Sequence, residues 1–168
     1  MDNSYSPRSE RATPPTTKQK VAVQRAVKML LDVLAPERTT TRTPRQPVRI
    51  EQYRTPNGCV LQAPTAALSV SWFPDGSDIG ALGELQIVLW RGIASRRGSP
   101  PRPEGAVVVR ELNVLPVEDP SDALIWQIDR TTYDTEGLAA YCLSLLEEQM
   151  LTDDPTGAAQ PTAPRRRD

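Results

Sequence analysis

The sequence contains no histidine, and this absence excludes several common chemistries. Imidazole is the usual general base beside a nucleophilic serine or cysteine, and it is also a frequent metal ligand. Cys59 and Cys142 are the only cysteines, too few for a disulfide framework, so we expect two reduced thiols. Neither of the two common glycine-rich phosphate-binding patterns occurs. We therefore predict a protein that is not an enzyme and that uses no metal or other cofactor.

Long apolar runs are also missing. No stretch approaches the roughly 20 apolar residues needed to span a bilayer, and the first residues lack the apolar run of a signal peptide. These features favour a cytoplasmic protein with no membrane partner. The 168 residues match one domain with flanking segments. We assign residues 1–16 and 152–168, which are polar and contain prolines, to disordered tails.

The net charge of −1 conceals a division along the chain. Residues 1–54 carry eleven Lys and Arg against five Asp and Glu, whereas residues 55–168 carry nine against sixteen. Arginines on flexible segments can neutralise phosphates without reading a base sequence. The first third of the chain therefore gives an alternative hypothesis, a nucleic-acid-associated protein. The arginines that would make those contacts are Arg38, Arg42, Arg45, Arg49 and Arg54.

Two segments have apolar residues at helical spacing. Residues 17–35 predict an amphipathic helix with Thr17 as its N-cap, and residues 134–151 predict a second helix. One face of the first helix carries Val23, Val27, Leu30 and Leu34. Residues 36–47 are basic and lack apolar side chains, which is typical of a linker. Such a linker lets the first helix pack on either face of its own domain or on another molecule.

Between the helices, six short runs rich in apolar and β-branched residues alternate with turn signals. The clearest signal is Pro56-Asn57-Gly58, because Asn-Gly favours the positive φ angles of a type I′ hairpin turn. Short connections favour antiparallel pairing, since parallel strands need long crossovers. We predict an α+β domain over residues 48–151: a single antiparallel, meander-like sheet of about five to six strands with the C-terminal helix packed on it, preceded by the N-terminal amphipathic helix.

Trp90 is out of step with its strand. Leu85, Ile87 and Leu89 point to one face, whereas Trp90 points to the other face with Gln86 and Val88. We consider four interpretations. Trp90 marks a β-bulge or local core position, it packs beneath the first helix, it belongs to a surface for self-association or a partner, or it is a stacking platform for a ligand or nucleic acid.

Together these observations predict a small non-enzymatic interaction or accessory module whose partner is another protein or a second copy of the chain. The candidate interaction surface comprises Trp90, Val88, Gln86 and Tyr53 on strands, and Val23, Val27, Leu30 and Leu34 on the first helix. Besides nucleic-acid association, a second alternative is a small-ligand-binding domain. That alternative requires a cavity between sheet and helix, lined by Trp72 or Trp126 and containing a polar group.

Overall fold

A computed structural model describes residues 14–34, 40–41, 48–75, 82–92, 106–121 and 123–152. Helix α1 (Thr17–Val33) precedes all the strands, and helix α2 (Thr135–Thr152) follows them. Two short strands, β1 (Thr40–Thr41) and β2 (Val48–Arg49), pair only with each other. The main sheet comprises β3 (Glu51–Thr55), β4 (Gly58–Gln62), β5 (Ala66–Phe73), β6 (Glu84–Arg91), β7 (Val107–Glu118), β8 (Leu124–Ile128) and β9 (Thr131–Tyr133).

The seven strands of the main sheet follow one another in chain order, and every neighbouring pair is antiparallel. The predicted α+β meander is confirmed, with one strand more than expected. The extra strand arises because the chain reverses at Asp129 and Arg130. Asp129 has a φ of 52°, a left-handed conformation that Asp tolerates better than most residues. No glycine or proline marks this turn, so the sequence predicted one continuous strand there.

The β3–β4 hairpin lies where the sequence predicted it, but its turn differs from the prediction. The two loop residues are Pro56 and Asn57, and Gly58 already pairs with Thr55 as the first residue of β4. Neither Asn57 nor Gly58 has a positive φ, so the predicted type I′ turn is wrong. Gly58 is needed for space instead, because a Cβ there would lie 1.8 Å from the Val70 carbonyl oxygen of β5.

The N-cap of helix α1 lies one residue before the predicted N-cap. Thr16, not Thr17, is the N-cap, and its hydroxyl accepts a hydrogen bond from the Gln19 backbone N–H at 3.3 Å. The Gln19 side chain accepts the Thr16 backbone N–H at 2.8 Å, which completes a capping box. Helix α2 begins with a similar device, since the Asp134 carboxylate accepts the Gly137 backbone N–H at 2.6 Å.

Both helices pack on the same face of the sheet, and one core lies between them and the strands. α2 crosses β5, β6, β8 and β9 and also contacts α1. The core therefore joins residues of α1, of α2 and of alternate sheet positions. Its largest fully buried side chains are Trp126, Leu30, Leu34, Ile50, Leu61, Leu68, Leu85, Ile87, Leu138, Leu146, Val23 and Val70. The first helix thus packs on its own sheet, which the sequence left open.

Two tryptophans lie on the core face, as their spacing predicts. Trp126 is fully buried, and its indole N–H donates to the Thr135 hydroxyl at 3.2 Å, so its polar atom is paired. Trp72 lies at the edge of the core, where its ring meets that of Trp126 edge to face at a centroid distance of 6.3 Å. This contact joins β5 and β8, which are separated in the sheet by β6 and β7.

Candidate interaction surface

We call the side of the main sheet opposite α1 and α2 the outer face. Successive side chains of a strand point to opposite faces, so the outer face consists of the residues that alternate with the core positions. Within β6 these residues are Glu84, Gln86, Val88 and Trp90. Neither described helix packs on this side, because the buried residues of both helices belong to the core cluster on the opposite face.

Two rows of cross-strand neighbours bring apolar side chains together on the outer face. One row runs Glu51, Gln62, Ala67, Trp90, Val108, and the next runs Tyr53, Val60, Ser69, Val88, Glu111. Side chains opposite one another in such rows lie close enough to pack. We call the central residues of these rows the Trp90 patch: Val60, Gln62, Ala67, Val88, Trp90 and Val108. Ala67 is 1% exposed and Val88 9% exposed, although neither belongs to the main core.

Trp90 lies at a break in the register of its strand, as the β-bulge interpretation predicted. The register of β6 with β7 shifts between Leu89 and Trp90, as in a β-bulge, but the shift leaves Trp90 on the outer face beside Val108. The ring is half-buried, and its N–H donates to the Ser69 hydroxyl at 3.1 Å. Packing beneath α1 is wrong, because α1 lies on the opposite side of the sheet. The indole polar atom is already paired, so Trp90 presents mainly apolar ring surface.

Gln62 adds a buried polar group to the patch. Its amide nitrogen donates to the backbone carbonyl of Ala63 in the β4–β5 connection at 2.6 Å and to that of Ala66, the first residue of β5, at 3.2 Å. Two carbonyl acceptors fix the orientation of the amide, because a flip would place its oxygen against them. The Gln62 side-chain oxygen is buried, and no donor of the described residues forms a hydrogen bond with it. The Gln62 side chain is therefore held in one orientation at the end of the patch. Its buried, unpaired oxygen lowers the stability of the fold.

The outer face carries further exposed apolar side chains. Phe73 is 44% exposed, Val108 48% and Leu115 45%, and all three alternate with core positions on their strands. Residues 107–114 of β7 pair with β6, whereas β8 pairs only with residues 115–118. Among the described residues, the first part of β7 thus has a neighbour on one edge alone. An exposed strand edge beside an apolar patch is a recognised means of binding another chain.

Charged side chains on the described strands of the outer face are all glutamates: Glu51, Glu84 and Glu111. Glu111 faces Val88 in register and accepts a hydrogen bond from the Gln86 amide at 2.6 Å. Glu51 accepts the Tyr53 hydroxyl at 2.5 Å. Among the described strand residues, the charged side chains beside the apolar patch are therefore carboxylates.

The structure separates the predicted interaction surface into two groups. Trp90, Val88, Gln86 and Tyr53 lie together on the outer face. The four helix residues lie on the other side of the sheet in the core: Val23 (1% exposed), Val27 (8%), Leu30 (0%) and Leu34 (0%). They are buried by the chain itself, so including them in an exposed surface is wrong. Sequence spacing alone could not distinguish a helix face that is buried within its own chain from one that awaits a partner.

Residues that the sequence did not single out complete the patch. Ala67 and Gln62 become neighbours because the β4–β5 connection sets their register, with the Ala63 N–H donating to the Ala66 carbonyl at 2.9 Å. A small residue directly opposite a tryptophan on the next strand would have placed Ala67 in the patch, but this requires the strand register.

The five arginines proposed for nucleic acid differ in how much of each the structure describes. Arg38, Arg42 and Arg45 lie outside the described residues, and Arg49 is known only as part of β2. The Arg54 guanidinium donates to the Asp32 carboxylate of α1 at 2.9 Å. Arg54 thus contacts an acidic side chain of its own chain.

The two thiols are buried in the core. Burial raises the pKa of Cys59 to about 11 and that of Cys142 to about 12, so neither thiol is ionised near neutral pH. Across the described ranges, no group of three or more Cys, Asp or Glu side chains is arranged to hold a metal ion. Neither described helix combines the length and apolar character needed to cross a bilayer.

Comparison of the chain with protein-family models, with curated proteins and with solved structures found no match.

Proposed function

We propose that this protein is a non-enzymatic interaction module that binds a protein partner through the outer face of its sheet. The observation that carries the proposal is the Trp90 patch, an apolar surface on the face opposite both helices. Tryptophan side chains are enriched among the residues that dominate binding energy at interfaces, because a large, rigid ring buries much surface at low entropic cost. Within the patch Val108 is 48% exposed and Trp90 and Val60 are half-buried, whereas Ala67, Val88 and Gln62 beneath them are buried.

The glutamates on this face favour a particular partner. Glu111 lies beside Val88, so a partner that covers the patch would meet a carboxylate at its border. An apolar side chain flanked by Lys or Arg complements that arrangement. A second copy of this chain would bring its own glutamates to the same border, and a nucleic acid would bring phosphates. We therefore propose a different protein as the partner, working in a reducing compartment such as the cytoplasm, where free thiols are normal.

Site-specific photo-crosslinking in the cell that naturally makes the protein tests the proposal. The variant Val108→benzoylphenylalanine places the reactive group in the patch, and Met29→benzoylphenylalanine places it at an equally exposed position of α1 (48% and 52% exposed). We expect a discrete adduct from position 108 alone, lost when Trp90→Ala is added and weakened by Glu111→Gln. The mass of the adduct identifies the partner, and twice the mass of the chain would instead show a homodimer.

Light scattering after size-exclusion chromatography provides the accompanying control. The purified chain and its Trp90→Ala variant should both be monomers, since the proposed partner is another protein. Equal adducts from positions 108 and 29, or an adduct at position 108 that survives Trp90→Ala, would contradict the proposal.

A further inference from the structure

A groove separates α1 from the β3–β4 hairpin on the side of the molecule opposite the outer face. Its volume is about 350 Å³, within the range of roughly 300–1,000 Å³ typical of sites for small molecules. Val27, Leu31 and Trp72 supply an apolar wall, and Lys28, Arg54 and Asn57 supply polar groups. The residues from α1 recur three or four positions apart, so they share one face of the helix. The groove is independent of the Trp90 patch.

The aromatic wall of the groove is held in place from two directions. Trp72 meets the buried Trp126 ring edge to face, with an interplanar angle of 81°. Gly83, the residue before β6, has a φ of 118°, and a Cβ at that position would lie 2.3 Å from the Trp72 ring. The ring therefore occupies space that only a glycine leaves free. A wall fixed before binding saves the entropy that a flexible side chain would lose.

Two cations converge at the rim of this groove. The Lys28 ammonium lies 2.8 Å from one oxygen of the Asp32 carboxylate, and the Arg54 guanidinium lies 2.9 Å from the other. These three groups carry a net positive charge, and an ammonium with three donors and a guanidinium with five offer more N–H groups than one carboxylate accepts. The hydrogen bond from Lys28, with a contribution from Arg54, lowers the pKa of Asp32, which stays ionised at neutral pH.

We infer that this groove binds a small organic anion with a flat apolar body. The apolar body lies against Trp72 and Leu31, and the anionic group takes donors from Arg54 and Lys28 at the rim. Lys28 and Arg54 already donate to the one carboxylate of Asp32, so both can bind a single anionic group. Asp32 therefore competes with the ligand for these donors. The charge of the rim selects an anion over a neutral molecule of the same shape, because charge-assisted hydrogen bonds are about twice as strong as neutral ones.

The test uses naphthoate as probe and uncharged naphthamide as its matched control, followed by NMR of the full chain. We expect naphthoate to bind with a Kd on the order of 1 mM, as its size suggests, and to shift the Trp72 indole and the Asn57 and Gly58 amides. Naphthamide should bind about tenfold more weakly or not measurably. Added salt should weaken naphthoate binding and leave naphthamide binding unchanged.

Three variants then distinguish the role of each charge. Arg54→Ala should weaken naphthoate binding about tenfold, whereas Lys20→Ala, which removes an exposed cation of α1 outside the groove, should leave it unchanged. Asp32→Asn should strengthen binding, because it removes the competing carboxylate. Equal binding of the two probes, shifts centred on Trp90, or weaker binding by Asp32→Asn would overturn the inference. Shifts centred on Trp90 would place the probe on the outer face, and the other outcomes do not bear on that face, since the two sites lie on opposite sides of the sheet.

Discussion

Replacing Leu30 by Ala tests whether α1 is part of the chain's own core. Leu30 is 0% exposed and lies in the cluster that α1 shares with α2 and the sheet. Leu→Ala substitutions in protein cores cost about 2–5 kcal/mol, because transfer free energy is lost and a cavity remains. Leu30 is enclosed on all sides, so we expect a loss of about 3 kcal/mol in the free energy of unfolding. That is a large part of the roughly 5–15 kcal/mol of an ordinary domain.

Urea denaturation followed by tryptophan fluorescence and circular dichroism measures this loss. The matched control is Met29→Ala, the adjacent residue of α1, whose side chain is 52% exposed. Substitutions at such positions change stability by about 0.5 kcal/mol or less. The denaturation midpoint of the parent chain should not depend on protein concentration, because the contacts of Leu30 are intramolecular.

Two results would contradict the packing of α1 in the core of its own chain. A loss below about 0.5 kcal/mol for Leu30→Ala would mean that α1 adds little to the cooperative core. A midpoint that rises with protein concentration would mean that α1 completes the core of a second copy, as in a domain-swapped dimer.

Two further predictions concern the sheet and the thiols. Gly58→Ala should cost more than about 2 kcal/mol in urea denaturation, because the added Cβ meets a β5 carbonyl oxygen at 1.8 Å and the strands must separate; a neutral effect would contradict this close approach. The free energy of unfolding should fall as pH rises above about 9, since unfolded thiols ionise near 9.0 whereas Cys59 and Cys142 keep their protons until about 11 and 12 in the folded chain. Replacing both cysteines by Ala should flatten this decline, and an unchanged slope would exclude the thiols as its cause.

The order and type of the main elements could be predicted from the sequence because local physical rules set them. Apolar spacing determined both helices, as the bounds of α1 and α2 show. Pro56, Pro64 and Pro74 follow the ends of β3, β4 and β5, although Pro116 lies within β7. Short connections favoured antiparallel neighbours. The predicted position of the hairpin at Pro56 was also correct, but the predicted turn conformation was wrong. Asn-Gly suggested a turn conformation, whereas Gly58 is required by the approach of β5, a contact between strands that no local pattern contains.

The candidate surface was predictable only in part for the same reason. Strand alternation placed Trp90, Val88 and Gln86 on one face correctly, because a period of two depends on the backbone alone. The same logic could not say which face the helices would cover. An amphipathic helix shows that it needs an apolar partner, but its sequence does not identify that partner.

Tertiary packing decided that question. Both helices bury their apolar faces against one side of the sheet, where Trp126 and the leucines of β5 and β6 provide a continuous core. The Trp90 patch is consequently left on the other side, and the α1–hairpin groove forms at the edge of the packed side. Composition and apolar spacing set which residues are apolar and which side of a helix or strand each one occupies. Only the long-range register and the choice of one shared face determined which of those residues are core and which are surface.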